Sequence, residues 1–168
     1  GQDYTLSGDG LLLLDSGAHY RSGTTDITRT FYFSEAGQPA HAELVRKASL
    51  VLAAHCQLAL AVFPTDTNGV QLDAICRSPL WAEGLDFGHG TGHGVGHILS
   101  VHEGPVSISK RGQIVLKKGH ILSNEPGYYE EGQFGIRHET LVHVTAAHEG
   151  YLKFETLTCF PFDRQLID

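Results

Sequence analysis

The 168-residue sequence has no methionine, one tryptophan and three cysteines. It also lacks any apolar run near the ~20 residues that a membrane-spanning helix needs, which excludes a membrane partner. Without methionine the first residue is not an initiator, which points to a processed chain or a piece of a larger protein. The opening GQDYTLSGDG has no charged start followed by an apolar stretch, so no secretory signal is expected. Cys56, Cys76 and Cys159 are odd in number and form no C-x-x-C pair. They read as reduced thiols of a cytoplasmic protein and disfavour a zinc–thiolate site. Positive charge is scarce as well: 12 basic residues face 19 acidic ones, a net charge of −7. That excludes nucleic acid as a partner, because a phosphate backbone calls for a basic footprint. A bound cation would offset part of the excess.

Glycine and histidine are what the chain has in quantity, 20 and 11 residues. They concentrate in FGHGTGHGVGHILSVHEGP, residues 87–105, which holds His89, His93, His97 and His102. Each glycine costs about 0.8–1.0 kcal/mol relative to alanine in a helix interior. The i, i+4 spacing of His89, His93 and His97 is therefore not read as one helical face. The glycines let the backbone pass close to something else.

Residues 10–33 read as two strands turning at YRSG. Residues 39–63 read as a helix begun near Pro39 and stopped by Pro64, with Leu44, Ala48, Val51, Leu52, His55 and Leu58 at helical spacing. NGVQLDAICRSPLWAEG reads as a second, shorter helix with Pro79 near its end. GHILSNEP, FGIRHETLVHVTA and YLKFETLTCF then read as strands, with PGYYEEGQFG as a hairpin loop between the first two. One domain is expected, of α+β class, with helices covering one face of a mostly antiparallel sheet.

Asp15 and Asp26 lie at the ends of the first hairpin, roughly opposite or one step off. Glu125 and Glu139 repeat that arrangement on the second. Along the second strand Arg137, Glu139, Leu141 and His143 share one face. Four carboxylates gathered at one point need about +4 of compensating charge, which two divalent cations supply. One histidine of the glycine-rich stretch completes a five-ligand set. Other chemistries fail on spacing. G-x-G-x-x-G does not fit GHGTGHGVGH, no Gly-Lys-Ser/Thr is present, HETLVH is one residue too long for H-E-x-x-H, and no G-x-S-x-G occurs.

LLLLDSGAHYRSGTTDITRT, GTGHGVG with VHEGP, SNEPGYY and FGIRHETLV together resemble the Xaa-Pro aminopeptidases of the pita-bread superfamily (creatinase and methionine-aminopeptidase-like). The resemblance implies a truncated pita-bread fold, with residues 1–168 as the C-terminal portion of a metallopeptidase catalytic domain. It implies that Asp15 chelates one metal, that Asp26 and Glu139 bridge two, and that His93 and Glu125 bind the second. It implies non-ligand histidines near the substrate at His89 and His102, and Tyr129 and Arg137 by a proline pocket. The implied ions are two Mn²⁺, with Co²⁺ or Zn²⁺ as substitutes. The implied substrates are peptides with proline in second position. Two metals about 3.5–4 Å apart hold a water of lowered pKa. Glu125 is the candidate to receive and shuttle its proton, and His102 to stabilise the oxyanion.

The chain departs from the family pattern in starting late, so part of the shell and one further active-site histidine are missing. His97 and His120 stand where other residues are expected and read as surface substitutions. His19, His41, His55, His143 and His148 read as scaffold or surface. Exposed apolar strand surface around LLLL and TFYF leads to the expectation of a homo-oligomer, or of association with the missing polypeptide. Two alternatives stay open: a prolidase acting on Xaa-Pro dipeptides, and a non-catalytic peptide-binding module.

Overall fold

A computed structural model describes residues 5–98 and 100–168. Residues 1–4, where the stretch examined for a leader begins, and Leu99 lie outside the described residues. β1 (Gly10–Tyr20) and β2 (Gly23–Phe33) form a long antiparallel ribbon. β1 runs five residues past Asp15, so the turn is confined to Arg21 and Ser22.

α1 (Ala42–Ala59) starts later than Pro39 because His41 caps it, its imidazole accepting from the Glu43 N–H. It also ends earlier: Val62–Pro64 is not helix but β3, an edge strand paired with β10 (Tyr151–Thr156). Pro64 suits that edge, where no ladder donor is needed. α2 (Gly69–Trp81) begins at a capping box, in which Asn68 and Gln71 satisfy each other's backbone N–H groups.

β3, β10, β9 (Thr140–Ala146) and β6 (Ile121–Asn124) form the four-stranded antiparallel sheet, in that order. Ala48, Val51, Ala54 and Leu58 of α1 are buried together with Leu72, Cys76 and Leu80 of α2, and with Leu122, Val142, Val144 and Phe154 of the sheet. This is the expected α+β arrangement, although the strands divide into four small sheets. β4 (Gly92–His93) pairs with β5 (Ser107–Ile108). PGYYEEGQFG is not a loop alone, because β7 (Gly127–Glu130) pairs with β8 (Phe134–Arg137).

FGIRHETLVHVTA is likewise two strands rather than one. At the break the His138 N–H donates to the Pro126 carbonyl and the Glu139 N–H to the Thr28 carbonyl. The chain thereby leaves the β7 ladder and docks onto β2 before β9 joins β6. That handover delivers Glu139 to the same place as the first hairpin. Among the described residues no helix is long and apolar enough to cross a membrane, and all three cysteines are free.

Candidate metal centre

The ribbon register pairs Asp15 with Thr28 and Gly17 with Asp26. The two aspartates are therefore diagonal neighbours, offset by two residues on one face, and neither opposite nor one step off. Asp26 is buried, and the face continues through Thr28 and Thr30, both buried.

The glycine-rich segment is held against β6 and against its own return by close backbone approach. A Cβ on Gly92 would sit 2.0 Å from the Ser123 carbonyl oxygen, and one on Gly94 would sit 2.2 Å from that of Glu103. Only glycine fits either place. Ser123 finishes the positioning. Its hydroxyl oxygen accepts from the His93 N–H at 3.0 Å and its O–H donates to Glu125 Oε1 at 2.9 Å. The Glu125 N–H donates to the Thr91 carbonyl.

The result is a cluster. Asp26, His93 and Glu139 each offer one ligand atom, and these atoms lie within 4.8 Å of one another. His93 Nε2 is 3.4 Å from Asp26 Oδ2 and 3.3 Å from Glu125 Oε1. Asp15 joins through Arg137, which donates to Asp15 Oδ2 at 2.6 Å, to the Tyr129 hydroxyl at 2.9 Å and to Thr28 Oγ1 at 3.3 Å. Thr28 in turn donates to Glu139 Oε2 at 2.7 Å. The ring of His102 lies edge-on to that of His93, with centroids 4.2 Å apart. His97 is exposed and its carbonyl accepts from Thr24, while His120 accepts from the Lys117 N–H at the surface.

Proton positions follow from the partners. His93 Nδ1 faces the Gly94 carbonyl at 2.9 Å, and a carbonyl only accepts, so that nitrogen carries the proton. Nε2 is left facing two carboxylates, which needs either a second proton or a cation between them. His89 Nδ1 donates to the Gly90 carbonyl at 2.8 Å, so its Nε2, 2.7 Å from Tyr129, accepts the phenol proton. Arg137, Tyr129 and His89 thus form one directed chain.

The charge state has the same cause. Burial first, then the charge of Glu125 with smaller effects of Asp26 and Asp15, pushes the Glu139 carboxyl up to about 8 against the Thr28 hydrogen bond. Burial also raises Glu125, with Asp26 adding to it, against His93, Ser123 and Arg137. For His93 burial acts downward, but Asp26, the Gly94 carbonyl and Glu125 outweigh it and the imidazole is raised. Burial lowers His89, and the cations Arg137 and Arg77 add to that against the Gly90 hydrogen bond. A cluster that holds protons for want of countercharge releases them to a divalent cation. Oxygen donors with a single imidazole fit a hard or borderline ion.

Sequence reasoning missed Thr28, Ser123 and Arg29. Arg29 is 2% exposed and donates to the carbonyls of Thr28, Glu139, Phe160 and Pro161, with its guanidinium over the Phe162 ring. It fixes the backbone of Glu139 to the C-terminal segment. Its signal was a single charge between Ile27 and Phe31 on the apolar side of the strand.

Comparison with known proteins gives the family. The model of metallopeptidase family M24 matches residues 1–146. A protein of Pyrenophora teres f. teres named "Probable Xaa-Pro aminopeptidase P" is 47% identical, over 100% of this chain and 26% of its own length. The chain thus spans about a quarter of the curated relatives it matches. The X-prolyl aminopeptidase of Caenorhabditis elegans, described as a cytosolic enzyme with a di-nuclear active site, superposes with a TM-score of 0.88 at 43% identity. That match covers 94% of this chain and 26% of the nematode chain. An Xaa-Pro dipeptidase of Bacillus anthracis superposes at 0.76 and 32% identity, covering 91% of this chain and 40% of the other.

Proposed function

This chain belongs to metallopeptidase family M24, and from that premise we propose that it is the metal-binding portion of an Xaa-Pro aminopeptidase catalytic domain. The observation that carries the reading is the meeting of Asp26, His93 and Glu139 within 4.8 Å, with Glu125 beside His93. Asp15, Asp26, His93, Glu125 and Glu139 would hold two divalent cations, with Mn²⁺ the preferred ion. When bound, such a pair supplies a water of lowered pKa and polarises the scissile carbonyl.

The remaining work falls to side chains. Glu125, oriented by Ser123, receives a proton and passes it to the leaving proline nitrogen. His102, beside His93, donates to the developing oxyanion. His89 and Tyr129 line the substrate side, where Arg137 holds the Tyr129 hydroxyl. The substrates are peptides with proline in second place. The free thiols and the cytosolic nematode relative support a cytosolic location. The half-exposed Leu14 and Phe160 on the outer face of the ribbon support association with further polypeptide, either more of the same protein or a second copy.

The full-length protein with Mn²⁺ should release the first residue from Xaa-Pro-Xaa peptides and lose that activity in EDTA. Equal cleavage of Xaa-Ala peptides would contradict the proline assignment. Cleavage of Xaa-Pro dipeptides alone would favour a prolidase, the activity named for the Bacillus relative.

A further inference from the structure

Asp73 and Arg77 lie one turn apart on α2, 2% and 1% exposed, and no step above uses them. They form a buried ion pair, with Arg77 Nε donating to Asp73 Oδ2 at 2.8 Å. Their remaining bonds all go to the segment that leads into β4. One terminal nitrogen of Arg77 donates to Asp86 Oδ1 at 2.6 Å and to the Phe87 carbonyl at 2.7 Å. The other donates to the His89 carbonyl at 2.6 Å. The free oxygen of Asp73 accepts the Thr91 hydroxyl at 2.6 Å. The guanidinium carbon also lies 3.8 Å from the centroid of the Phe87 ring, whose own centroid is 4.9 Å from that of His89.

A buried ion pair is weak evidence for stability, since well-packed apolar residues often replace one without loss. What this pair holds is more telling. Gly88 and Gly90 flank His89, and a Cβ on Gly88 would meet nothing within 4 Å. Phe87 is packed into the core, but at Gly88 no packing confines the backbone, and the Arg77 hydrogen bonds to the Phe87 and His89 carbonyls hold it from both sides.

We propose that Asp73 and Arg77 are positioning residues for His89, fixing the 86–91 backbone so that its imidazole meets Tyr129 at the substrate side of the metal centre. What His89 does there rests on the aminopeptidase reading; where it is held does not.

The test compares Arg77→Lys, Asp73→Asn, His89→Ala and the Arg77→Lys/His89→Ala double variant in the full-length protein. Lysine keeps the charge but cannot reach the four acceptors that the planar guanidinium serves. Arg77→Lys should lower kcat/KM about 10- to 100-fold, the scale of a small misplacement, and leave manganese stoichiometry unchanged. If the pair acts through His89, the double variant is no slower than His89→Ala. The ¹⁵N spectrum of the His89 ring should show one Nδ1–H tautomer in the parent and a mixture in Arg77→Lys. Additive losses in the double variant, or an unaltered His89 spectrum in both single variants, would overturn the proposal. If the parent cleaves no Xaa-Pro peptide, the functional reading fails while the ring spectrum still decides the positioning. If Arg77→Lys does not fold, Asp73→Asn, which keeps the shape of the side chain, carries the same test.

Discussion

On one wall of the metal centre Asp15 stands half in solvent, its side chain 51% exposed, with Arg137 against it at 2.6 Å. On the other wall Glu139 is 2% exposed, and its carboxylate oxygen receives only the neutral hydroxyl of Thr28. The same functional group is held by a counter-ion and water in one place, and by hydrogen bonds and enclosure in the other. The buried acid keeps its proton up to about pH 8 until a cation replaces it. Under the proposed metal-binding function, affinity and pH dependence belong to the Glu139 wall, and the Asp15 wall decides whether a second ion is kept.

The largest expected effect is on metal affinity. Glu139→Gln should weaken Mn²⁺ binding about a thousandfold in a calorimetric titration, beyond the 10–100-fold typical of a lost outer-shell partner. Asp15→Asn should instead lower the stoichiometry from two ions to one and change the affinity of the remaining ion far less. Equal losses at both positions would erase the distinction between the walls.

Next is the fold beneath each wall. Arg29→Met takes the donor from the carbonyl of the buried Glu139, and from those of Phe160 and Pro161, whose residues are exposed and can turn to water. At about 1–3 kcal/mol for an unpaired buried group, urea unfolding should show a loss of about 1–3 kcal/mol. Asp15→Asn, at a half-exposed ion pair, should cost under about 1 kcal/mol.

Smallest within any one pH unit is a slope. In the metal-free fold Glu139 keeps a proton that the unfolded chain releases near its ordinary value of 4.5. At this group the native state then binds more protons, so its contribution to stability falls as pH rises from about 4.5 through about 8. The slope is at most about 1.4 kcal/mol per pH unit for one group. Glu139→Gln should flatten it in EDTA, and Asp15→Asn should not. On the acid side His55 and His138, held neutral to about 3 and about 4 mainly by burial, act oppositely. Their contribution falls as pH drops below about 6.5, where the unfolded histidines take up protons, so between about 4.5 and 6.5 they oppose the Glu139 slope.

What was legible in the chain follows the range of the forces involved. The ribbon and both helices showed in local pattern, because β-branched runs, helical spacing and proline act over a few residues. The β7–β8 hairpin was hidden, since Gly127 and Gly135 in its strands and Gly132 in its turn gave the stretch the composition of a loop. The break at His138–Glu139 was also hidden. It depends on the carbonyls of Pro126 and Thr28, which no local pattern connects to it. The acids and histidines of the site were legible as a set through the resemblance of their surrounding motifs, while spacing alone gave only paired hairpins. Their supports, Thr28, Ser123 and Arg29, had weaker signals, and the clearest was a charge on an apolar face. Asp73 and Arg77 carry that signal too, in phase with the buried Leu72, Cys76 and Leu80.

Anomalous scattering from crystals of the protein grown with Mn²⁺ tests the central claim most directly. The account predicts two manganese peaks, both contacted by Asp26 and Glu139, one also by Asp15 and the other by His93 and Glu125. No peak at this cluster, or peaks that leave Glu139 uncoordinated, would contradict it.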